Sequence, residues 1–441
     1  MTRVGFVITF VWCFASSASF VHHNCLTDHH SNCIFRDNPV VPSAVQLGPR
    51  PFYLLNDMEE SPLKDTLTEC AQSKLFYKRS EETLGHRGAA LFFPEHSKQS
   101  YVAAASMGAG VIECDVTFTK DKELVCRHSQ CDLHTTTDIL LRSDLAHLCT
   151  QQFVPAVFDP AGNRESQASA KCCTSDINLE QFKSLKAKMD GADPNATTVE
   201  DYVAGGVPTW RTDLFAANGT VMTHTDSIEL FKAMGVKMIP ELKQPMVPMP
   251  FDGFTVEAFA QKIVDDYKQH GVDASQVYLQ SMLLEAIKFW VIYETDFGDN
   301  ALYLWEPEDA SEDFRDPATW PNFSELASQG VKTLAPPMYM LIDLKNKSKL
   351  IVSDFAIAAK QVGLVLKSWT LERSGSLYYG GGSYYQTVNG DEPANRQKVD
   401  GVIHRDGDVF TILDFLFQAV GIAAIFTDWA STVVFYTNCI L

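Results

Sequence analysis

The sequence predicts a TIM (β/α)8 barrel with a cysteine-rich N-terminal extension and an insertion after the second strand. Two observations carry that prediction. From about residue 220 to the end, short apolar runs alternate with amphipathic helical stretches, giving about eight strands once two upstream strands are added. Several of those runs also end in polar or charged residues, the end of a barrel strand where chemistry sits. An open doubly wound sheet is the competing fold, but no Gly-rich phosphate-binding first turn supports it.

At 441 residues, with 46% hydrophobic and 21% charged residues, the chain can bury a large core. Residues 1–19 read as a secretory signal peptide: Arg3, a short apolar run, then small residues around Ala18. Of 11 cysteines, Cys13 leaves with it, and the even remainder suits disulfides in an oxidising compartment. Sequons at Asn195, Asn218, Asn322 and Asn346 point the same way, to a secreted, extracellular, cell-wall or vacuolar-lumen protein. Residues 20–81 hold Cys25, Cys33 and Cys70 with little periodicity, and are expected to be an extension stapled to the main domain at 82–441.

Residues 84–128 carry the densest chemistry. A first strand ends at His86-Arg87-Gly88, where glycine permits a sharp turn. Pro94 and Glu95 suit the first turn of a helix that ends at Gly108. In the second strand, Val111-Ile112-Glu113-Cys114-Asp115, alternation puts Glu113 and Asp115 on one face and Cys114 on the other. Two adjacent carboxylates repel unless a cation lies between them, and hard oxygen donors favour Ca²⁺ or Mg²⁺ over zinc. A polar turn at Lys120-Asp121-Lys122 then returns the chain as a strand leading to His128.

Residues 129–220 are irregular and contain Cys131, Cys149, Cys172 and Cys173, read as a stapled insertion over the mouth of the site. His134 within it is read as a surface histidine. Beyond it, helices at 228–234, 256–269, 283–293, about 352–361 and 410–420 alternate with the remaining strands. On the third strand, Glu241 and Lys243 share a face, so Glu241 completes a three-carboxylate site for one divalent cation and Lys243 offers a positive group to a phosphate. Trp369, on the seventh, is either a stacking surface for the substrate or a barrel-core aromatic.

His86-Arg87-Gly88, Pro94-Glu95, Glu113-x-Asp115, Lys120-Asp121 followed by His128, and Glu241-x-Lys243 resemble the glycerophosphodiester phosphodiesterase family. The resemblance spans roughly 82–438 outside the insertion. His96 departs from it where the family usually has Asn, and Ser129 where it commonly has Asp. It implies that His86 and His128 form the acid–base pair, in either order, and that Arg87, Lys243 and Trp369 meet the substrate. It also implies hydrolysis of glycerophosphodiesters such as glycerophosphocholine to glycerol 3-phosphate and an alcohol. A phospholipase D-like action on lysophospholipids or sphingomyelin, with Phe92 and Phe93 on an apolar rim, is the alternative. A non-catalytic secreted scaffold is the third reading. The net charge of −19 argues against nucleic acid as a partner, and no apolar run argues for stable membrane insertion. Oligomeric state is not legible.

Overall fold

The computed structural model describes residues 42, 44–212, 218–307, 313–346, 348–389 and 402–441. The expected signal peptide, Cys25 and Cys33 lie outside them. The barrel strands are β1 (Ser80–Gly85), β2 (Ala109–Phe118), β4 (Lys237–Leu242), β5 (Gln280–Ser281), β6 (Leu302–Leu304), β7 (Thr333–Ala335), β8 (Val365–Leu371) and β9 (Ala424–Thr427). Each pairs in parallel with the next, and β1 also pairs with β9, so the sheet closes on itself. A short β3 (Leu124–Cys126) is added antiparallel to β2 as the return arm that delivers His128.

Closure leaves two apolar layers. Inside the barrel, Leu84, Val111, Ile239, Leu302, Leu304, Ala335, Ala424 and Phe426 form a small cluster. The outward faces of the same strands join the helices in the main core. Alternation along β2 decides which residue goes where: Cys114 is bonded to Cys126 on β3, while Glu113 and Asp115 take the opposite face. Register then sets the site. Asp115 is paired with Glu241, and Glu241 with Gln280, so these side chains leave three adjacent strands at one level.

The helix after β1 begins later than its sequence suggests. Pro94 and Glu95 lie in a turn, and α3 runs Lys98–Ser106 because the Ser97 side chain accepts from the Ser100 amide as an N-cap. At Gly88, φ is +94° and a Cβ would run into Ser100, so the sharp turn after His86-Arg87 needs glycine.

The extension is more regular than expected. It forms α1 (Arg50–Asp57) and α2 (Pro62–Ser73), the second capped by Ser61. Their periodicity is weak because few residues bury: Pro51, Leu54 and Leu55 on α1, and Leu67 alone on α2. The Cys70–Cys439 disulfide fastens α2 to the C-terminal helix, closing a loop of sequence separation 369. Cys439→Ser is therefore expected to destabilise the chain by about 2–5 kcal/mol. Denaturant unfolding under non-reducing conditions measures this, and an unchanged midpoint would contradict it.

The insertion is not structureless. It has an apolar cluster of its own, built on Leu133, Ile139, Phe182, Leu185 and Tyr202 and continuous with Val125 of β3. Cys131–Cys173 and Cys149–Cys172 staple it. His134 lies within it, with Nδ1 accepting from the Cys172 amide at 3.4 Å, and does not reach the cavity. No helix among the described residues is long and apolar enough to cross a membrane.

Candidate active site

A cavity of about 230 Å³ opens at the C-terminal ends of the barrel strands. His86, Arg87, Glu113, His128, Glu241, Lys243 and Trp369 line it, and Asp115 lies buried beside them. All eight site residues expected from the sequence are thus brought to one place.

The acidic centre comes first. Glu113, Asp115 and Glu241 each present a carboxylate oxygen, and these oxygens lie within 4.8 Å of one another. Burial pushes Glu113 well above the usual carboxylate range, and the Asp115 and Glu241 charges add to the effect. Burial also raises Glu241, to about 7, against the opposing pull of Lys243. Burial works in the same direction on Asp115, but His96 and Lys243 overcome it and hold that carboxyl well below its usual range. Two of the three acids are therefore held above their usual range despite Arg87 and Lys243, and Asp115 Oδ1 is buried with no hydrogen-bond partner. All-oxygen donors, a convergent geometry and an orphaned lone pair fit a hard divalent cation such as Mg²⁺ or Ca²⁺.

The two imidazoles differ in their support. His86 Nδ1 lies 2.6 Å from Asp428 Oδ1, so the carboxylate fixes a proton on Nδ1 and leaves Nε2 as an acceptor. Burial and Arg87 lower His86 to about 4 despite Asp428, keeping it neutral. His128 is lowered well below its ordinary value by burial, Arg87 and Lys243.

The cationic residues are already engaged. Lys243 Nζ is 2.7 Å from Glu241 Oε1, and Arg87 Nη1 donates to Glu95 Oε2 at 2.9 Å. Arg87 is left-handed, with φ +53°, and its backbone N–H donates to Glu113 Oε2 at 2.9 Å. A phosphate reaching them must share them with those carboxylates.

Four supporting residues carry no role in the sequence reading. Asp428 orients His86. Gln280 donates to Glu113 Oε1 at 2.8 Å. His96, the departure from the family pattern, fills its place as a support: Nε2 donates to Asp115 Oδ2 at 2.9 Å while Nδ1 accepts from the Tyr101 hydroxyl at 3.0 Å. Arg373 bridges Asp428 Oδ2 at 3.1 Å and Glu95 Oε2 at 3.3 Å, and reaches Asp190 of the insertion at 3.6 Å. Gln280 lies on β5 and Asp428 directly after β9, at strand ends where barrel chemistry is expected. Arg373 lies in no motif, and nothing local signals it.

The model of the glycerophosphoryl diester phosphodiesterase family matches residues 86–407. The chain belongs to that family. The phosphodiesterase is also 37% identical over 256 residues to an "Extracellular protein" of Arthroderma benhamiae, a match covering 57% of this chain and 99% of that one. A glycerophosphodiester phosphodiesterase of Bacillus subtilis is 44% identical over 48 residues, which is 11% of this chain and 16% of that enzyme. A solved Silicibacter pomeroyi protein carrying the family's name superposes with a TM-score of 0.50 at 14% identity. That superposition covers 85% of this chain and 98% of the other, and it shows the shared fold. The phosphodiesterase is thus a phosphoric diester hydrolase acting on glycerophosphodiesters.

Proposed function

We propose that this phosphodiesterase is a secreted, cation-dependent enzyme that hydrolyses glycerophosphodiesters such as glycerophosphocholine to glycerol 3-phosphate and an alcohol. The observation that carries the reading is the convergence of Glu113, Asp115 and Glu241 beside the neutral imidazoles of His86 and His128. Four disulfides and the extracellular relative support an oxidising, secreted setting.

A phosphodiester resists attack because its own anion repels nucleophiles. A divalent ion held by Glu113, Asp115 and Glu241 would neutralise that charge and the charge added in the transition state. Arg87 and Lys243 contribute fixed positive charge at the same cavity. His86 Nε2, kept unprotonated by the Asp428 contact, takes the proton of the attacking hydroxyl, whether of water or of the substrate's glycerol. The new P–O bond forms as the bond to the alcohol breaks, and the proton removed from the nucleophile is returned to the leaving alkoxide; His128, neutral at rest, relays it by accepting at one ring nitrogen as it donates from the other.

A second reading, action on lysophospholipids or sphingomyelin, needs an exposed apolar rim. Phe92 does not supply it: half-buried, it packs on Trp429 with centroids 5.2 Å apart. Phe93 is likewise half-buried, against the main core. Exposed Trp210 is the better candidate, since its indole donates to the Arg373 carbonyl at 3.4 Å. Product formation from soluble glycerophosphocholine and from micellar lysophosphatidylcholine separates the two readings. The proposal expects glycerol 3-phosphate from the soluble diester, and turnover confined to the micellar lipid would overturn it.

A further inference from the structure

The strands on the two sides of the cavity do different work. The acidic centre, both imidazoles and Lys243 come from the ends of β1, β2 and β4 and from the return arm after β3. Across the barrel, the wall formed after β6 and from β8 onward presents Glu306, Trp369 and Tyr384. A phosphate held at the first wall must send one of its ester arms towards the second.

That second wall has an unusual composition. Every carboxylate around the reacting centre is occupied: Glu113 by Arg87 and Gln280, Asp115 by His96, Glu241 by Lys243, Glu95 by Arg87 and Arg373, and Asp428 by His86 and Arg373. Glu306 alone among the described cavity-lining carboxylates makes no hydrogen bond or ion pair with a described residue. Half-buried, it bears a desolvation cost that is opposed only at longer range, by the Lys243 ammonium already paired with Glu241. In the lining of the same cavity, the Trp369 and Tyr384 rings meet at 70° with centroids 5.8 Å apart, so their planes bound a corner. Trp369 is held in that pose by its indole N–H, which donates to the Ala335 carbonyl at 2.8 Å. Two aromatic faces and a free carboxylate form a recognition set for an organic cation.

We propose that Glu306, Trp369 and Tyr384 form a headgroup subsite for a substituted ammonium group, so that the preferred substrates are glycerophosphodiesters with a cationic headgroup. The inference rests on the proposed function for the reaction itself but adds the headgroup class. Glu306 supplies the charge and the two rings supply cation–π faces. A glycerol headgroup also has hydroxyls that can donate to Glu306, so the discriminating comparison sets a cationic headgroup against a neutral one of similar size.

The experiment pairs two readouts. Initial rates with glycerophosphocholine and glycerophosphoglycerol give the ratio of their kcat/KM values in the wild-type protein and in Glu306→Gln. The wild-type ratio is expected to favour choline by about tenfold, and Glu306→Gln is expected to lower that ratio by about tenfold. Calorimetric titration with choline chloride reads the subsite without turnover, and heat of binding is expected from the wild type and not from Glu306→Gln. A wild-type ratio near one, a ratio untouched by the substitution, or choline binding that survives it would overturn the proposal. If no diester is turned over while Glu306-dependent choline binding is seen, the proposed reaction fails and the subsite stands.

Discussion

Glu113→Gln is expected to lower kcat/KM for glycerophosphocholine by about 10²–10³-fold while raising the thermal midpoint of the metal-free protein. The two effects have one cause. Glu113 is buried beside Asp115 and Glu241, and its carboxyl is pushed well above the usual range by burial and by those two charges. A group whose folded pKa is raised lends its full stability only below its unfolded value, and loses it as pH rises through the folded value. At neutral pH the metal-free fold therefore carries the cost of that charge, and an amide of the same shape removes it. Bound to a cation, the same charge is what the site needs, so activity falls as stability rises. A purely structural role for Glu113 would lower both, because its oxygens accept from the Arg87 amide and from Gln280. Initial rates alongside thermal unfolding in EDTA distinguish the two cases.

His86→Ala is expected to cost about 10²–10⁴-fold in kcat, the usual range for a positioned proton-transfer group. The wild-type pH profile carries the same information. Burial and Arg87 hold His86 near 4, so its imidazole stays neutral and able to accept a proton down to about that pH. The rate is expected to stay flat from neutral pH into mild acid and to fall as pH approaches about 4. Asp428 is the group that opposes the lowering, so Asp428→Asn moves the acid limb to still lower pH. The plateau drops at the same time, because an amide no longer fixes the proton on Nδ1. An acid limb near the ordinary histidine value of about 6.5 would show that His86 is not buried in the working enzyme.

Much of this site is legible in the sequence because its signals are local. The spacing of Glu113 and Asp115 is two residues, the period of a strand, and β2 carries both inward. Glu241 and Lys243 follow the same rule around the end of β4. The βα alternation fixes the barrel because each strand needs its own helix to cover it. What the sequence does not show depends on closure or on distant packing. Asp428 meets His86 because β9 pairs with β1, across almost the whole chain. Arg373 acquires its role from Glu95 and Asp190, one from the turn after β1 and one from the insertion. The start of α3 is displaced from Pro94 to Lys98 because the Ser97 hydroxyl caps there, a contest between two plausible starts that propensity does not decide. His96 reads as a departure from a family pattern, and only its burial between Asp115 and Tyr101 shows it acting as a support.

The most direct test of the central claim is the release of glycerol 3-phosphate from glycerophosphocholine after dialysis against EDTA, followed by addition of Mg²⁺ or Ca²⁺. The account predicts that chelation reduces turnover to background and that one of the two ions restores it. Turnover that survives chelation unchanged would mean that Glu113, Asp115 and Glu241 do not work through a bound cation.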